Sequence, residues 1–177
     1  MTRLFASDLH LDPARPEITR QFTDFLAGPA REAQAVYLLG DLFEAWLGDD
    51  ARDPVGATVT DALAALSATG VALFVMQGNR DFLLGDAFCR RAGARLLPDP
   101  VILTLGARRV LVTHGDALCT GDTPYQRLRS LVRDPSVQRA FLSLPLERRR
   151  VLAGQARAGS RAHLAEADEY ITDVSQD

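Results

Sequence analysis

Five polar residues that can bind metal ions follow four apolar segments of the sequence, each where a segment ends. They are two aspartates, two histidines and an asparagine: Asp8, His10, Asp41, Asn79 and His114. Carboxylate oxygens, imidazole nitrogens and an amide oxygen together suit Mn²⁺, Fe²⁺ or Zn²⁺ better than Ca²⁺. A carboxylate can also bridge two ions about 3.5–4 Å apart, the spacing of metal pairs that activate water and clamp the oxygens of a phosphate ester.

Each of these residues also has an ordinary structural interpretation. An Asp or Asn at the end of a strand is commonly a turn former or a helix cap, and a single His is commonly a hydrogen-bonded core residue. Chance is a poor explanation for five such residues at the ends of four successive predicted strands. We therefore predict a two-metal centre, with Asp41 as the bridging ligand because it follows the most apolar strand.

The segments between these residues predict an α/β fold with a largely parallel sheet. Continuous apolar runs, typical of strands buried on both faces, precede the first four ligands: 3–7, 35–39 and 71–76. Amphipathic helices are predicted from Pro16 to Gly28 and from Pro54 to Thr69. An antiparallel hairpin that leads to His114 is predicted from two further runs: 101–105 and 110–113. Because ligands gather at the carboxyl ends of strands in such folds, the five residues should converge.

Beyond Thr123 the strand pattern disappears and the composition changes. From Thr123 to His163 there are nine arginines and two acidic residues, so this stretch carries +7 and the rest of the chain −10 of the net −3. Three prolines divide the stretch, which predicts a helical insertion or lid: Pro124, Pro135 and Pro145.

The same stretch interleaves apolar and basic side chains. The apolar ones would hold acyl chains: Val137, Phe141, Leu142, Leu144, Leu146, Val151 and Leu152. The basic ones would favour an anionic membrane surface: Arg148, Arg149, Arg150 and Arg157. A solvated arginine face on an ordinary core helix explains the pattern equally well.

The overall composition is that of a globular protein, with 47% hydrophobic and 24% charged residues in a chain of 177, enough for one ordinary domain. No apolar run approaches the ~20 residues of a membrane span, and no signal-peptide pattern is present. Two cysteines make no disulfide framework, so we expect a cytoplasmic protein. All 20 basic residues are arginines, which excludes a lysine nucleophile.

Four short motifs resemble the successive motifs of the calcineurin-like metallophosphoesterases: Asp8-Leu-His10, Gly40-Asp41, Gly78-Asn79-Arg80-Asp81 and His114-Gly115-Asp116. Arg80 stands where that superfamily usually has His. This variant, together with the longer motifs at 40–50 and 114–122, is similar to the UDP-2,3-diacylglucosamine diphosphatases of lipid A biosynthesis. The resemblance extends from Met1 to about Val174.

The resemblance implies a metallophosphoesterase sandwich, with mixed sheets flanked by helices and a helical lid. The core would span 1–122, the lid 123–165, and 166–177 would begin the return to the core. It implies hydrolysis of UDP-2,3-diacylglucosamine to UMP and 2,3-diacylglucosamine 1-phosphate with two Mn²⁺ ions. We expect a monomer on the inner face of the bacterial inner membrane, with no nucleic-acid partner.

Arg80 is predicted to stabilise negative charge on the pyrophosphate, because a guanidinium matches phosphate oxygens and stays charged. A surface ion pair with Asp81 is the alternative. The resemblance implies contacts with the polar head of the substrate from Arg80, Asp122 and Ser160, and Asn79 is predicted to be both catalytic, together with Arg80, and substrate-binding. His163 is a candidate contact or a helix-surface residue, and Ala167 stands where the family often has lysine.

The superfamily also has a late Gly-His-X-His motif, which this sequence does not contain: its histidines are His10, His114 and His163. Losing one imidazole from each ion lowers metal affinity, so we expect weak metal binding and little hydrolysis by the 177-residue chain. Two other functions stay open: a general phosphodiesterase or nucleotidase, and an inactive truncated fragment.

Overall fold

The protein, seen here as a computed structural model, is described for residues 2–51 and 53–166, the last six of these by backbone alone. It forms two compact units, Met1–His114 and Gly115–Asp177. Every predicted metal ligand lies in the first unit.

The first unit alternates strands and helices, as the sequence predicts. Its strands are β1 (Arg3–Ala6), β2 (Ala35–Leu39), β3 (Ala72–Met76), β4 (Ala94–Leu97), β5 (Val101–Leu105) and β6 (Arg108–Val112). Its α-helices are α1 (Pro16–Ala27), α2 (Pro54–Ser67) and α3 (Asp86–Ala92). A short 3-10 helix, Pro29–Glu32, connects α1 to β2.

Helix α1 occupies its predicted range because both ends carry strong local signals. Pro16 fits the first turn, where no backbone N–H is needed, and the N–H of Gly28 donates to the Asp24 carbonyl at 2.9 Å. Phe22 and Leu26, one turn apart, are buried. The apolar face of the helix is thus directed to the core.

Strands β1 to β4 form one parallel sheet in sequence order. Tyr37 pairs in register with Phe5 on one side and Phe74 on the other, and the ring centroids are 4.7 Å apart in both contacts. Helix α2 packs between α1 and α3 and contacts β3 and β4. The unit is therefore an α/β layer structure with a parallel sheet flanked by helices.

Two elements were missing from the sequence prediction, namely α3 and β4. Strand β4 joins the parallel sheet beside β3, whereas β5 and β6 form a two-stranded sheet of their own. The prediction that four successive strands end in ligands is therefore wrong: among the described strands β4 carries none, and His114 follows β6. Arg95 interrupts the apolar pattern of β4, and seven residues are few for a periodic helix signal.

The second unit is helical between residues 115 and 166, with no strand in that range. After the 3-10 helix Asp116–Leu118 come α4 (Thr123–Val132), α5 (Pro135–Leu142) and α6 (Leu146–Glu166). The Asp134 carboxylate caps α5 by accepting the N–H of Ser136 at 2.7 Å. The predicted helices are thus confirmed, although α6 is longer than the prolines suggested. None of the described helices has the length and apolar content needed to cross a bilayer.

One predicted surface residue of this unit is buried. Arg149 is 3% exposed, and its Nε donates to the Leu144 carbonyl at 3.1 Å. The prediction that places it on a basic surface is wrong for this arginine, because the side chain folds back onto the start of α6. Arg148 and Arg150 beside it are exposed.

Candidate metal centre

The loops that follow β1 and β2 run side by side. Backbone hydrogen bonds of 2.9–3.1 Å join residues 8–11 to residues 40–44. Within these loops Asp8, His10 and Asp41 have positive φ values of 56°, 48° and 52°, and they are the non-glycine residues in the described part of the chain that do so. Such backbone costs an L-residue roughly 1–2 kcal/mol and collects at functional sites, where neighbouring contacts hold it.

Asp41 lies at the centre of the predicted ligands. Its side chain is 3% exposed and lies 3.6 Å from Nε2 of His10 and 3.7 Å from Nε2 of His114. One ligand atom each from Asp8, His10 and Asp41 lie within 4.8 Å of one another. Two ligands of one transition-metal ion, each at about 2.1 Å, are separated by up to about 4 Å. The contacts of the Asp41 carboxylate with the two imidazoles, at 3.6 and 3.7 Å, therefore suit atoms that share a cation.

His114 reaches this cluster from the hairpin. Its Nδ1 lies 2.9 Å from the Leu39 carbonyl oxygen, and because a carbonyl only accepts, Nδ1 carries the proton. Nε2 then presents its lone pair to the cluster, 3.1 Å from the amide of Asn79. The Asp99 carboxylate accepts the backbone N–H of His114 at 3.1 Å and fixes the loop. This is the tautomer that a metal ligand needs.

The amide of Asn79 tests whether a cation fits. When Nδ2 faces the cluster it lies 2.8 and 3.2 Å from the carboxylate oxygens of Asp41 and 3.1 Å from Nε2 of His114, and it donates to them. When Oδ1 faces the cluster, it meets the Asp41 carboxylate and Nε2 of His114, and all of these atoms present lone pairs. A cation bound between them would replace this repulsion by attraction. Two carboxylates, two imidazoles and this amide fit a transition-metal ion.

Asp81 holds the loops of Asp41 and Asn79 together. Its carboxylate is fully buried and accepts four backbone N–H groups, from Gly78 and Leu42 at 2.8 Å, from Asp41 at 3.3 Å and from Phe43 at 3.4 Å. Sequence reasoning missed this role and considered Asp81 only as a partner of Arg80. Three of the four hydrogen bonds join Asp81 to residues 38–40 positions earlier in the chain, so no local signal could have shown them.

Burial also dominates the electrostatics of Asp41. It raises the pKa of the Asp41 carboxyl to about 6, against the lowering effects of the Arg80 N–H and of His114. Burial likewise raises the pKa of Asp81 against its four hydrogen bonds. Because burial disfavours the charged forms of both carboxyls, nearby positive charge would stabilise them in their ionised state.

Glycine is needed where the loops approach most closely. A Cβ on Gly78 would collide with the Asp41 carboxylate and backbone, and a Cβ on Gly40 would collide with the imidazole of His114. Gly40 also has a φ of 96°, which favours glycine. Glycine is thus required at these two positions beside the ligands.

Arg80 lies at the edge of the cluster. Its backbone N–H donates to Oδ1 of Asp41 at 2.8 Å, and its Nη1 lies 3.9 Å from Oε1 of Glu44. Among the described residues Glu44, not Asp81, is the acid that pairs with the guanidinium, because Asp81 is turned inward. Glu44 is a further neighbour of the site that the sequence prediction did not include: Oε2 is 3.1 Å from Nδ1 of His10.

The remaining predicted residues belong to the second unit. Asp122 is 4% exposed and caps α4 by accepting the N–H of Tyr125 at 3.0 Å. Ser160 is half-buried on α6. His163 lies in α6 with its side chain outside the described part, and Ala167 lies outside the described residues. The structure thus brings the five ligands and Arg80 together in the first unit. Asp122 and Ser160 belong to the second unit, and their contacts with a substrate stay predictions.

Known proteins provide an independent comparison. No family model matches the chain. A UDP-2,3-diacylglucosamine hydrolase of Stenotrophomonas maltophilia (strain K279a) is 52% identical over 182 aligned positions, which cover 99% of this chain and 73% of that protein. Proteins of the same name from Xanthomonas campestris pv. campestris (strain B100) and Xanthomonas oryzae pv. oryzae (strain PXO99A) are each 51% identical, over 99% of this chain and 74% of theirs. At this identity and coverage, the chain belongs to the UDP-2,3-diacylglucosamine hydrolase family.

Proposed function

We propose that the protein hydrolyses the pyrophosphate bond of UDP-2,3-diacylglucosamine, giving UMP and 2,3-diacylglucosamine 1-phosphate in lipid A biosynthesis. The observation that carries this proposal is the cluster around Asp41, in a chain about half identical to hydrolases named for this substrate. The parallel sheet and the separate hairpin are, in this proposal, parts of a metallophosphoesterase sandwich.

The proposed metal ligands are the five residues of the cluster, and the proposed cofactor is a pair of Mn²⁺ ions. Asp41 is the proposed bridging ligand because both imidazoles lie within 3.7 Å of its carboxylate. When bound, such a pair supplies an activated water and positive charge for the oxygens at phosphorus. The chain itself contributes the buried carboxylate of Asp41 and the tautomer of His114 in which Nε2 presents its lone pair to the cluster.

Arg80 is the proposed catalytic cation. Its backbone is fixed to Asp41 by a hydrogen bond of 2.8 Å, and its side chain is 20% exposed, so the guanidinium is accessible to a ligand. Water attacks one phosphorus of the pyrophosphate, and the bond to the bridging oxygen breaks. Arg80 stabilises the negative charge that develops on the phosphate oxygens.

The second unit is the proposed lid and membrane-binding part. Its described surface exposes large apolar side chains: Leu118, Leu128, Leu131, Leu142, Val151 and Leu152. Exposed arginines accompany them, among them Arg139 and Arg148. Apolar surface with basic side chains suits acyl chains and an anionic membrane, so we propose a peripheral protein on the cytoplasmic face of the inner membrane. Asp122, Ser160 and His163 are the proposed contacts to the polar head.

Release of UMP from UDP-2,3-diacylglucosamine by the Mn²⁺-supplemented chain tests this function. The simple diester bis(p-nitrophenyl) phosphate is the comparison substrate. We expect turnover of the lipid nucleotide to exceed that of the diester. Equal turnover of both would favour a general phosphodiesterase, and no turnover of either would favour an inactive fragment.

A further inference from the structure

We propose that Glu44 is a positioning residue of the metal centre, which orients His10 and Arg80 without binding metal or substrate itself. This inference rests on the function proposed above. Glu44 contacts two chemically different groups of the site, the imidazole of His10 and the guanidinium of Arg80.

The backbone fixes Glu44 beside His10. Its N–H donates to the Leu11 carbonyl at 3.1 Å, which extends the ladder between the two loops. The neighbouring Phe43 is 1% exposed, and its ring stacks on Trp46 with centroids 4.6 Å apart. Because this loop is anchored by both contacts, the side chain of Glu44 starts from a defined position.

One carboxylate oxygen of Glu44 selects the tautomer of His10. Oε2 lies 3.1 Å from Nδ1, which is buried and has no well-aligned hydrogen-bond partner within the described part of the chain. The negative charge of Glu44 favours the proton on Nδ1, so that Nε2 presents its lone pair to Asp8 and Asp41. A carboxylate behind a metal-binding histidine raises its basicity, and its loss typically costs 10–100-fold in metal affinity.

The other oxygen of Glu44 faces Arg80. Oε1 lies 3.9 Å from Nη1, and the two side chains are 25% and 20% exposed. An isolated pair of this kind contributes little to stability in water. Its relevance here is orientation, since one carboxylate fixed by the backbone faces the imidazole with one oxygen and the guanidinium with the other.

Three variants of the full chain test this role: Glu44→Ala, Glu44→Gln and the control Glu32→Gln, which changes an exposed glutamate in the same way. Electron paramagnetic resonance of free Mn²⁺ reports metal affinity, and melting with and without Mn²⁺ reports stability. We expect Glu44→Ala to weaken Mn²⁺ binding roughly 10–100-fold, with the metal-free melting temperature close to that of the parent. The control should match the parent in both measurements.

Glu44→Gln separates the two partners. Its amide oxygen can take the place of Oε2 beside Nδ1 of His10 but carries no charge, so we expect Mn²⁺ binding to be weakened less than in Glu44→Ala. It lacks the charge that orients Arg80, so kcat should stay below that of the parent while KM changes little.

Two results would overturn the proposal. The first is an unchanged Mn²⁺ affinity in Glu44→Ala, and the second is a metal-free melting temperature lowered as much as the metal-loaded one, which would indicate an ordinary structural contact. A parent chain that binds no Mn²⁺ would instead overturn the metal centre, and the role of Glu44 with it.

Discussion

Each of the two units of this protein is stabilised internally by a different kind of interaction. In the described residues every buried hydrophobic side chain lies between Leu11 and Val112, in the first unit. Beyond His114 the buried side chains are polar or charged, namely Asp122 and Arg149. The first unit therefore has an apolar core that supports its site, whereas the second has none of its own within the described range.

Polar contacts hold the beginning of the second unit instead. Oδ2 of Asp116 accepts the hydroxyl of Tyr125 at 2.7 Å, and lies 2.9 Å from Nε of Arg129 and 3.6 Å from Arg133. The amide of Gln126 donates to the Asp116 carbonyl at 2.8 Å. We therefore expect substitutions in the first unit to have large, all-or-none effects on activity or stability. Substitutions on the surface of the second unit should have graded effects on binding.

The largest effect is expected from Asp41→Ala. The substitution removes the carboxylate that lies between both imidazoles, so UMP release should fall by more than about 10³-fold and bound metal should decrease. Metal analysis and a turnover assay would measure both, with the exposed Asp24→Ala as control. Retention of two metal ions with near-normal turnover would show that Asp41 is not the bridging ligand.

Asp81→Ala should be the most destabilising of these changes. Four backbone N–H groups would lose their buried acceptor, which we expect to cost about 3–5 kcal/mol in the free energy of unfolding. Urea unfolding of the variant and of the parent would measure it, beside Asp61→Ala on the exposed side of α2. A loss of stability no larger than that of the control would contradict the role of Asp81 as the acceptor that joins the two loops. It would also weaken the contrast between the units.

Arg80→Ala should separate catalysis from folding within the first unit. We expect kcat to fall roughly 10²–10³-fold, the scale of losing one preorganised charge donor, with little change in melting temperature. Steady-state kinetics and thermal unfolding of the same preparation test this. A large loss of stability with retained kcat would indicate that Arg80 acts structurally through Glu44.

The smallest effects are expected on the second unit. Arg139→Gln and Arg148→Gln should each weaken binding to anionic vesicles by about 1 kcal/mol, an effect that should fade as salt rises. Vesicle sedimentation would measure this, with the exposed Arg31→Gln of the first unit as control. Equal binding to neutral vesicles, or an equal effect of the control, would argue against an electrostatic membrane surface here.

The elements with strong local signals were predictable from sequence. Pro16 and Gly28 delimit α1, and the apolar runs identify β2 and β3. Residues that begin or end a helix, and continuous apolar runs, can both be recognised within a short stretch of sequence. The short α3 and β4 were not predictable, since Gly93 and Arg95 break up both patterns.

For the site, the identity of the ligands was predictable from sequence, but the contacts that hold them in place were not. The ligand types and their positions at strand ends pointed to Asp41 and its neighbours. The positive φ of Asp41 and the roles of Asp81 and Glu44 depend on hydrogen bonds and ion pairs between loops distant in sequence. No pattern within a single window encodes such contacts.

The delivery of His114 from a separate hairpin has a consequence for folding. The contact between its Nδ1 and the Leu39 carbonyl joins residues 75 positions apart, and it forms only after the hairpin has reached the parallel sheet. Contacts of such long sequence separation carry a large loop-closure cost and tend to form late. The ligand set is therefore absent from early, partly folded states, and metal affinity should develop at the end of folding, as a reporter that the whole first unit has assembled.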